Sequence, residues 1–159
     1  MKFALLEVKE EDKNVLYNLM QLYTYELSFF EDKTTDFELL ENGLFKINKY
    51  IDLFWKEEER HPYILKCDGK LAGFVLERLN EEGINEIAEF FVLNKYRQHG
   101  GGTFMANEMF NKYKGKWEIR TLLKNKRAQD FWRKVVKNAS NGIYEEHLIR
   151  NNTRYAFYF

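Results

Sequence analysis

The sequence predicts an α/β protein of the α+β kind, a single domain over residues 1–159, in the order β-α-α-β-β-β-α-β-α-β-β. Three observations predict it. Apolar residues recur at helical spacing in some stretches and crowd into short β-rich runs in others, so helices and strands are interspersed. An Asp68-Gly69 pair separates two apolar runs, a strong hairpin signal. A strand-like run ending at Leu93 feeds Arg97-Gln98-His99-Gly100-Gly101-Gly102, and helical spacing resumes at once. A chain of 159 residues can build one full-sized core. Aromatic residues make up 17%, which argues for a folded globule over a disordered chain. Pro62 is the one proline, and no linker, repeat or low-complexity stretch marks a boundary.

The elements follow in order. Phe3 to Val8 reads as a strand. Val15, Leu16, Leu19, Met20, Tyr23 and Leu27 form the apolar stripe of a helix. Leu44, Ile47, Tyr50, Ile51, Phe54 and Trp55 have the spacing of a second amphipathic helix, which Pro62 closes. Tyr63–Cys67 and Leu71–Arg78 are the strands of the Asp68-Gly69 hairpin. Asn80 to Gly83 turns into the strand Ile84–Leu93. Met105, Ala106, Met109, Phe110 and Tyr113 mark the next helix, and Trp117–Leu122 the next strand. Ala128, Phe131, Trp132, Val135 and Val136 form a further helical stripe. Gly142–Ile149 and Thr153–Phe159 close the chain as a hairpin around Asn151-Asn152.

The glycine-rich turn carries the chemical signal. Backbone N–H groups in the first turn of a helix have no internal partner, and the helix dipole adds partial positive charge there. Glycines remove the Cβ atoms that hold a phosphate away from those donors. The turn is therefore a candidate diphosphate cradle. Thr103-Phe104 follows Gly102 where a P-loop requires Lys before Ser or Thr. A dinucleotide fingerprint requires spaced glycines after the first strand, whereas these are consecutive and lie two-thirds along the chain.

The spacing Arg-x-x-Gly-x-Gly, carried here by Arg97, Gly100 and Gly102, resembles the coenzyme A pyrophosphate loop of the GNAT superfamily of N-acetyltransferases. Asn125-Lys126-Arg127-Ala128-Gln129-Asp130-Phe131-Trp132 resembles that family's Asn-x-x-Ala-x-x-Phe-Tyr pattern, one helix and one strand downstream. The resemblance covers Ile84 to Val136. It is stronger for a subgroup with Glu-Phe-Phe-Val before the loop, Trp-Glu opening the next strand, and Phe-Trp in the second motif. The resemblance implies a mixed, mostly antiparallel sheet splayed between its fourth and fifth strands, with helices on both faces. It also implies an acetyl-CoA-dependent N-acetyltransferase, in which a primary amine of a small molecule or peptide attacks the thioester directly in a ternary complex.

The same resemblance distributes roles. Backbone N–H groups of Gln98, His99, Gly100, Gly101, Gly102 and Thr103 are the diphosphate donors, and Arg97 either adds charge or turns away. Backbone groups of Phe91 and Val92 pair with the pantetheine amides as an added strand would, and supply an N–H for the thioester oxyanion. Glu89 lies near the splay point and is the expected base, because desolvation raises a carboxyl toward neutrality. Glu86, three residues earlier, belongs on the opposite face of a regular strand. Trp132 stands where relatives often place an acidic tyrosine, and an indole cannot serve as that acid. Tyr155, Tyr158 or water is the expected substitute, and a coenzyme-A-binding accessory module that has lost catalysis is the alternative reading. Asn125 orients cofactor or loop backbone, and Trp132 packs against the pantetheine arm or the fifth strand.

Composition sets further bounds. Lys plus Arg equals Asp plus Glu, 25 each, which gives no general basic footprint for nucleic acid. Cys67, the one cysteine, allows no internal disulfide and reads as core packing. His61, His99 and His147 are not at metal-ligand spacing, so no metal is expected. No run approaches the length of a membrane span or a signal peptide, and a cytoplasmic protein, monomer or homodimer, is the default. The segment Thr24–Phe45 holds Glu26, Glu31, Asp32, Asp36, Glu38 and Glu41 against Lys33, which is either a solvated loop or the border of a site for a cationic acceptor.

Overall fold

A computed structural model describes residues 1–31 and 37–159, so Asp32, Lys33 and Asp36 of the acidic segment lie outside the described residues. Seven strands form one sheet: β1 (Phe3–Glu7), β2 (Arg60–Cys67), β3 (Lys70–Leu79), β4 (Asn85–Val92), β5 (Trp117–Leu122), β6 (Glu145–Ile149) and β7 (Arg154–Tyr158). Their spatial order is β1-β2-β3-β4-β5-β7-β6. Every pairing is antiparallel except β4 with β5. That parallel pairing runs only from Asn85↔Trp117 to Ile87↔Ile119, after which the two strands separate. The sheet is therefore mixed, mostly antiparallel and splayed between its fourth and fifth strands.

Helices cover both faces. On one side, α1 (Lys13–Leu27) buries Leu16, Leu19 and Met20 against Ile64, Phe74, Leu76 and Phe91. On the other, α2 (Gly101–Lys112) and α3 (Lys126–Ala139) bury Met105, Met109, Trp132 and Val136 against Leu65, Val75, Ile119 and Phe157. Burying a large apolar side chain stabilises by roughly 1.5–3 kcal/mol, so these two clusters hold the layers together.

The second amphipathic helix expected from Leu44 to Trp55 is not formed. A 3-10 turn over Lys49–Trp55 stands in its place. Its entry is drawn into extended form, because Gln21 Nε2 donates to the Phe45 carbonyl (3.0 Å) and Phe45 N donates to Gln21 Oε1 (2.8 Å). Leu39 bridges Phe45 as well, and Leu44 is exposed. Asn48 then caps the turn by accepting from Tyr50 N (3.0 Å). An i, i+3 pair shares one side of a 3-10 turn, and Ile51 and Phe54 are its buried pair. Pro62 does not close a helix but lies within β2, opposite Leu76. Its carbonyl accepts from Val8 N (2.9 Å), and its missing N–H falls where the β1 ladder has run out at Glu7↔Tyr63.

A bulge in β4 changes which residues share a face. Leu76 pairs with Glu89 and Glu77 with Ile87, so Ala88 is an extra residue. In a regular strand Glu86 and Glu89 would face opposite ways. The extra residue brings both to the α1 side, Glu86 opposite Arg78 and Glu89 opposite Leu76. The expectation that Glu86 lies on the far face is thereby corrected.

Glu77 points to the other face, fully buried, with no hydrogen-bond partner among the described residues on either carboxyl oxygen. His61 Nε2 stands 3.9 Å away. Burial pushes the Glu77 carboxyl from 4.5 up to about 8. The folded chain therefore keeps a proton that the unfolded chain releases between these two values. Stability falls as pH rises through that window and levels off above it. Glu77→Met is expected to raise stability at pH 8.5, by about 1–3 kcal/mol for an unsatisfied buried group. It should also flatten the decline between pH 5 and 8.5 in chemical denaturation. An unchanged decline would place its cause elsewhere.

Candidate active site

Where β4 and β5 part, a cleft of about 1210 Å³ opens between the two helical layers. One wall is β4 from Ala88 to Val92, the other β5 from Ile119 to Leu122. Gln98, Gly100, Gly102 and Thr103 close one end, α3 lines it through Arg127, Ala128, Phe131 and Trp132, and Tyr23, Glu26 and Tyr50 reach it from the α1 side. Of the residues expected to bind the cofactor or act as base, all but His99 and Gly101 line it.

The glycine turn reverses through positive φ at Gln98 (63°) and Gly100 (86°), the latter serving as N-cap of α2. Phe104 N donates to the Gly100 carbonyl (2.9 Å), the first bond of the helix. The N–H groups just before it have no partner within the helix. The glycines differ in purpose. A Cβ on Gly101 would lie 2.8 Å from the Phe3 ring, so this glycine lets α2 sit on β1. A Cβ on Gly102 would meet the Phe131 ring at 3.2 Å on the cleft side. His99 is exposed.

Arg97 turns away from the cradle. Its Nε donates to the Val92 carbonyl (2.6 Å), its guanidinium lies over the Phe91 ring (5.7 Å), and its Nη2 pairs with Glu26. Arg127 pairs with the other oxygen of Glu26. One carboxylate of α1 thus ties the glycine turn to the start of α3. The sequence places Glu26 only within an acidic segment, because no spacing links residues 71 and 101 positions apart.

Glu89 is half-buried in the β4 wall. Tyr50 donates a hydrogen bond to its Oε1, and the Tyr23 hydroxyl is a second donor. Burial raises the carboxyl above its ordinary range, against the pull of these hydrogen bonds and of Arg78 and Arg120. Burial and the carboxylate together push both tyrosines up, so they remain protonated donors. In the sequence both are members of apolar stripes, and nothing in their spacing gives their hydroxyls a role. Glu86 differs. It accepts from Arg78 Nε (2.6 Å), Asn80 Nδ2 (3.0 Å) and Arg120 Nη2 (2.9 Å). Burial would raise its carboxyl, but these partners outweigh burial and hold it below the usual range. Such a carboxylate is a poor proton acceptor.

Asn125 caps α3, its side chain accepting from Ala128 N (3.1 Å). Gln129, buried beside it, donates to the carbonyls of Leu122 (3.2 Å) and Leu123 (2.8 Å) and fixes the turn out of β5. Trp132 is 4% exposed and meets Phe90 edge-on, with ring centroids 4.7 Å apart. Neither Tyr155 nor Tyr158 lines the cleft. Tyr155 donates to Glu146 Oε2 (2.7 Å), a carboxylate also held by Arg133. Neither tyrosine, expected as a substitute acid, thus borders the cleft. Among the described residues no group of three or more His, Cys, Asp or Glu side chains could hold a metal ion, and no helix is long and apolar enough to cross a membrane.

The model of the Acetyltransferase (GNAT) family matches residues 17–136. Curated protein sequences give no match. Among solved structures, an acetyltransferase from Thermus thermophilus superposes with a TM-score of 0.69 at 13% identity, covering 100% of this chain and 97% of that one. A chimeric spermidine N-acetyltransferase from Vibrio cholerae gives 0.64 at 13% identity, covering 100% and 95%. A putative streptothricin acetyltransferase from Bacillus anthracis, in complex with acetyl coenzyme A, gives 0.61 at 15% identity, covering 99% and 96%. At these identities the likeness is one of fold.

The packing of Trp132 yields a test. Truncating a large aromatic residue in a packed core costs about 3–5 kcal/mol. Trp132→Ala is expected to lose stability on that scale in denaturant titration, whereas Trp132→Phe keeps most of it. A Trp132→Ala protein as stable as the parent would show that the ring is not a core element.

Proposed function

The chain belongs to the GNAT acetyltransferase family, and we propose that it is an acetyl-CoA-dependent N-acetyltransferase acting on a primary amine of a small molecule or peptide. One observation carries the reading: a raised carboxyl, Glu89, stands in the wall of the gap that β4 and β5 open, between tyrosine hydroxyl donors. Beyond Ile87 the β5-facing edge of β4 has no strand partner. An extended amide-bearing arm fits there as an added strand. The unpaired N–H groups at the start of α2 suit a diphosphate at the end of that arm.

The acceptor arrives as an ammonium ion, and Glu89 is the cleft carboxylate not already paired with arginine among the described residues. Glu89 takes the proton. The freed nitrogen attacks the thioester carbonyl, a C–N bond forms and the C–S bond breaks. The thiolate leaves and is protonated through water, which takes in exchange the second proton that the nitrogen sheds as it becomes an amide, since Trp132 has no acidic group to offer. Its packing against Phe90 makes it a wall of the arm's channel. Spermidine is the amine named for one structural neighbour, which agrees with an amine acceptor here.

Release of free thiol from acetyl-CoA over a panel of amines tests the reading, and separates an enzyme from a coenzyme-A-binding module without catalysis. Glu89→Gln is expected to lower kcat roughly 10²-fold, the range general-base catalysis contributes, with little change in acetyl-CoA affinity. Turnover of the parent should fall as pH drops through the Glu89 pKa, at a pH above the ordinary carboxylate range. Near-normal turnover of the Gln variant at pH 7 would remove Glu89 from the reaction.

Binding is checked separately. A ligand at a hundred times its Kd stabilises a fold by about 2.7 kcal/mol. Acetyl-CoA should therefore raise the melting temperature of the parent but not of Gly102→Asp, whose side chain brings bulk and negative charge to the cradle. No shift with millimolar acetyl-CoA would defeat the assignment of these residues.

A further inference from the structure

The wall that faces the acceptor is more basic than the acidic segment of the sequence suggests. Among the described residues of that segment, Glu26 is spent on Arg97 and Arg127, and Glu31 pairs with Arg154 (3.7 Å). The cleft is lined on its α1 side by Arg78, Arg120, Arg150 and Arg154, against Glu89 as the carboxylate open to a ligand. Register places two of these guanidinium groups together, and the β6–β7 hairpin brings a third to the same cleft. Arg120 pairs with Ala156 and Leu122 with Arg154, so Arg120 and Arg154 are diagonal neighbours on one face of β5 and β7. Arg150 stands at the tip of the β6–β7 hairpin, and its charge reaches Glu118 on the same face.

The carboxylates that hold these arginines do not line the cleft. Glu86 lies beneath the floor, 4% exposed, and fixes Arg78 and Arg120. Glu118 takes Arg120 Nε (3.0 Å). Among the described residues Arg120 thus spends Nε and Nη2 and keeps Nη1. Among the described residues Arg154 spends Nη1 on the Thr153 carbonyl (3.0 Å) and Glu31, and keeps Nη2 and Nε. The guanidinium of Arg150 makes no ion pair with the described residues. A planar guanidinium with spare N–H groups is the protein's usual recognition group for carboxylate and phosphate.

We infer that the acceptor is an amine that also carries an anionic group, a carboxylate or a phosphate, with the amine at Glu89 and the anion at Arg120, Arg150 and Arg154. The inference rests on the acetyltransferase reading above. An amine without the anion leaves these guanidinium groups facing its carbon skeleton and repelling its ammonium. An acceptor bearing both charges meets the carboxylate with one end and the arginines with the other.

The test is thiol release with saturating acetyl-CoA over matched pairs. Each α-amino acid is compared with its carboxamide, and each amino-alcohol phosphate with the free amino alcohol. In at least one pair the anionic member is expected to show a kcat/KM at least tenfold higher. The pair that responds distinguishes carboxylate from phosphate. In an Arg150→Gln/Arg154→Gln double variant that ratio should fall at least fivefold, and it should also fall with added salt, which screens charges over about 8 Å at physiological ionic strength. Neutral members that match or exceed their partners in every pair would overturn the inference and leave the acetyltransferase reading standing. If no amine releases thiol, the acetyltransferase reading falls. Calorimetry of the same pairs on the coenzyme-A-loaded protein then decides: tighter binding of an anionic member, lost in the double variant, upholds the anion site, and equal binding or none rejects it.

Discussion

The short parallel pairing of β4 and β5 is the constraint on which the rest depends. Three residue pairs hold the two halves of the sheet together, and beyond Ile87↔Ile119 the strands separate. Both halves are fixed elsewhere. β4 is held along its length by β3, and β5 by β7. The gap is therefore a built opening and not a frayed edge. It leaves a row of backbone groups on β4 without a strand partner, which in a buried sheet would be costly and beside a cleft can be satisfied by a ligand. The bulge at Ala88 lies at the start of this opening. It turns Glu89 to the side where α1 and the 3-10 turn deliver Tyr23 and Tyr50, so the loss of pairing and the placement of the carboxyl share one local cause.

Glu26 shows how the opening is kept in shape. It draws Arg97 of the glycine turn and Arg127 of α3 onto one carboxylate of α1. Arg97 also takes the Val92 carbonyl at the end of β4. The two motifs that the sequence offers as ligand contacts are thus joined partly through side chains that hold the cleft's own frame. A mobile basic side chain at the cradle would contribute charge by itself. A pinned one contributes mainly by fixing where the backbone donors of α2 point, which suits a site whose donors are N–H groups.

Much of the fold was legible, for physical reasons that also explain the failures. Alternation and helical spacing report one-sided burial, as in α1, α2, α3 and β5, while continuous apolar runs report burial on both faces, as in β2 and β3. The stretch Leu44–Trp55 has helical spacing as well, yet Phe45 is captured by Gln21 from a different element, and local periodicity carries no trace of that partner. The glycine turn was visible because positive φ and unpaired N–H groups are local requirements. Even there, Gly101 answers to the Phe3 ring, a contact nearly a hundred residues distant. The place of Glu89 near the end of its strand is legible, because proximity to the end of a strand can be read from sequence. Its face relative to Glu86 is not, because a bulge is settled by pairing with β3. Tyr23 and Tyr50 were hidden for the same reason: an aromatic stripe shows that a ring is buried, and nothing in it shows where the hydroxyl goes.

Glu77 and Glu89 show what separates a candidate base from a merely buried acid. Both lie at the β3–β4 junction around the same bulge, on opposite faces, and burial raises both carboxyls. A raised pKa alone therefore does not identify the reactive one. Glu77 has no hydrogen-bond partner among the described residues and no exposure, so it cannot meet a substrate and its charge has no donor to stabilise it. Glu89 has tyrosine donors to carry its charge and a cleft through which a substrate proton can arrive. Glu86, close by on the same face, lies at the other extreme, with three donors that hold it ionised and occupied. Of the three glutamates gathered around this bulge, the one with intermediate solvation and incomplete pairing is the one suited to the proposed proton transfer.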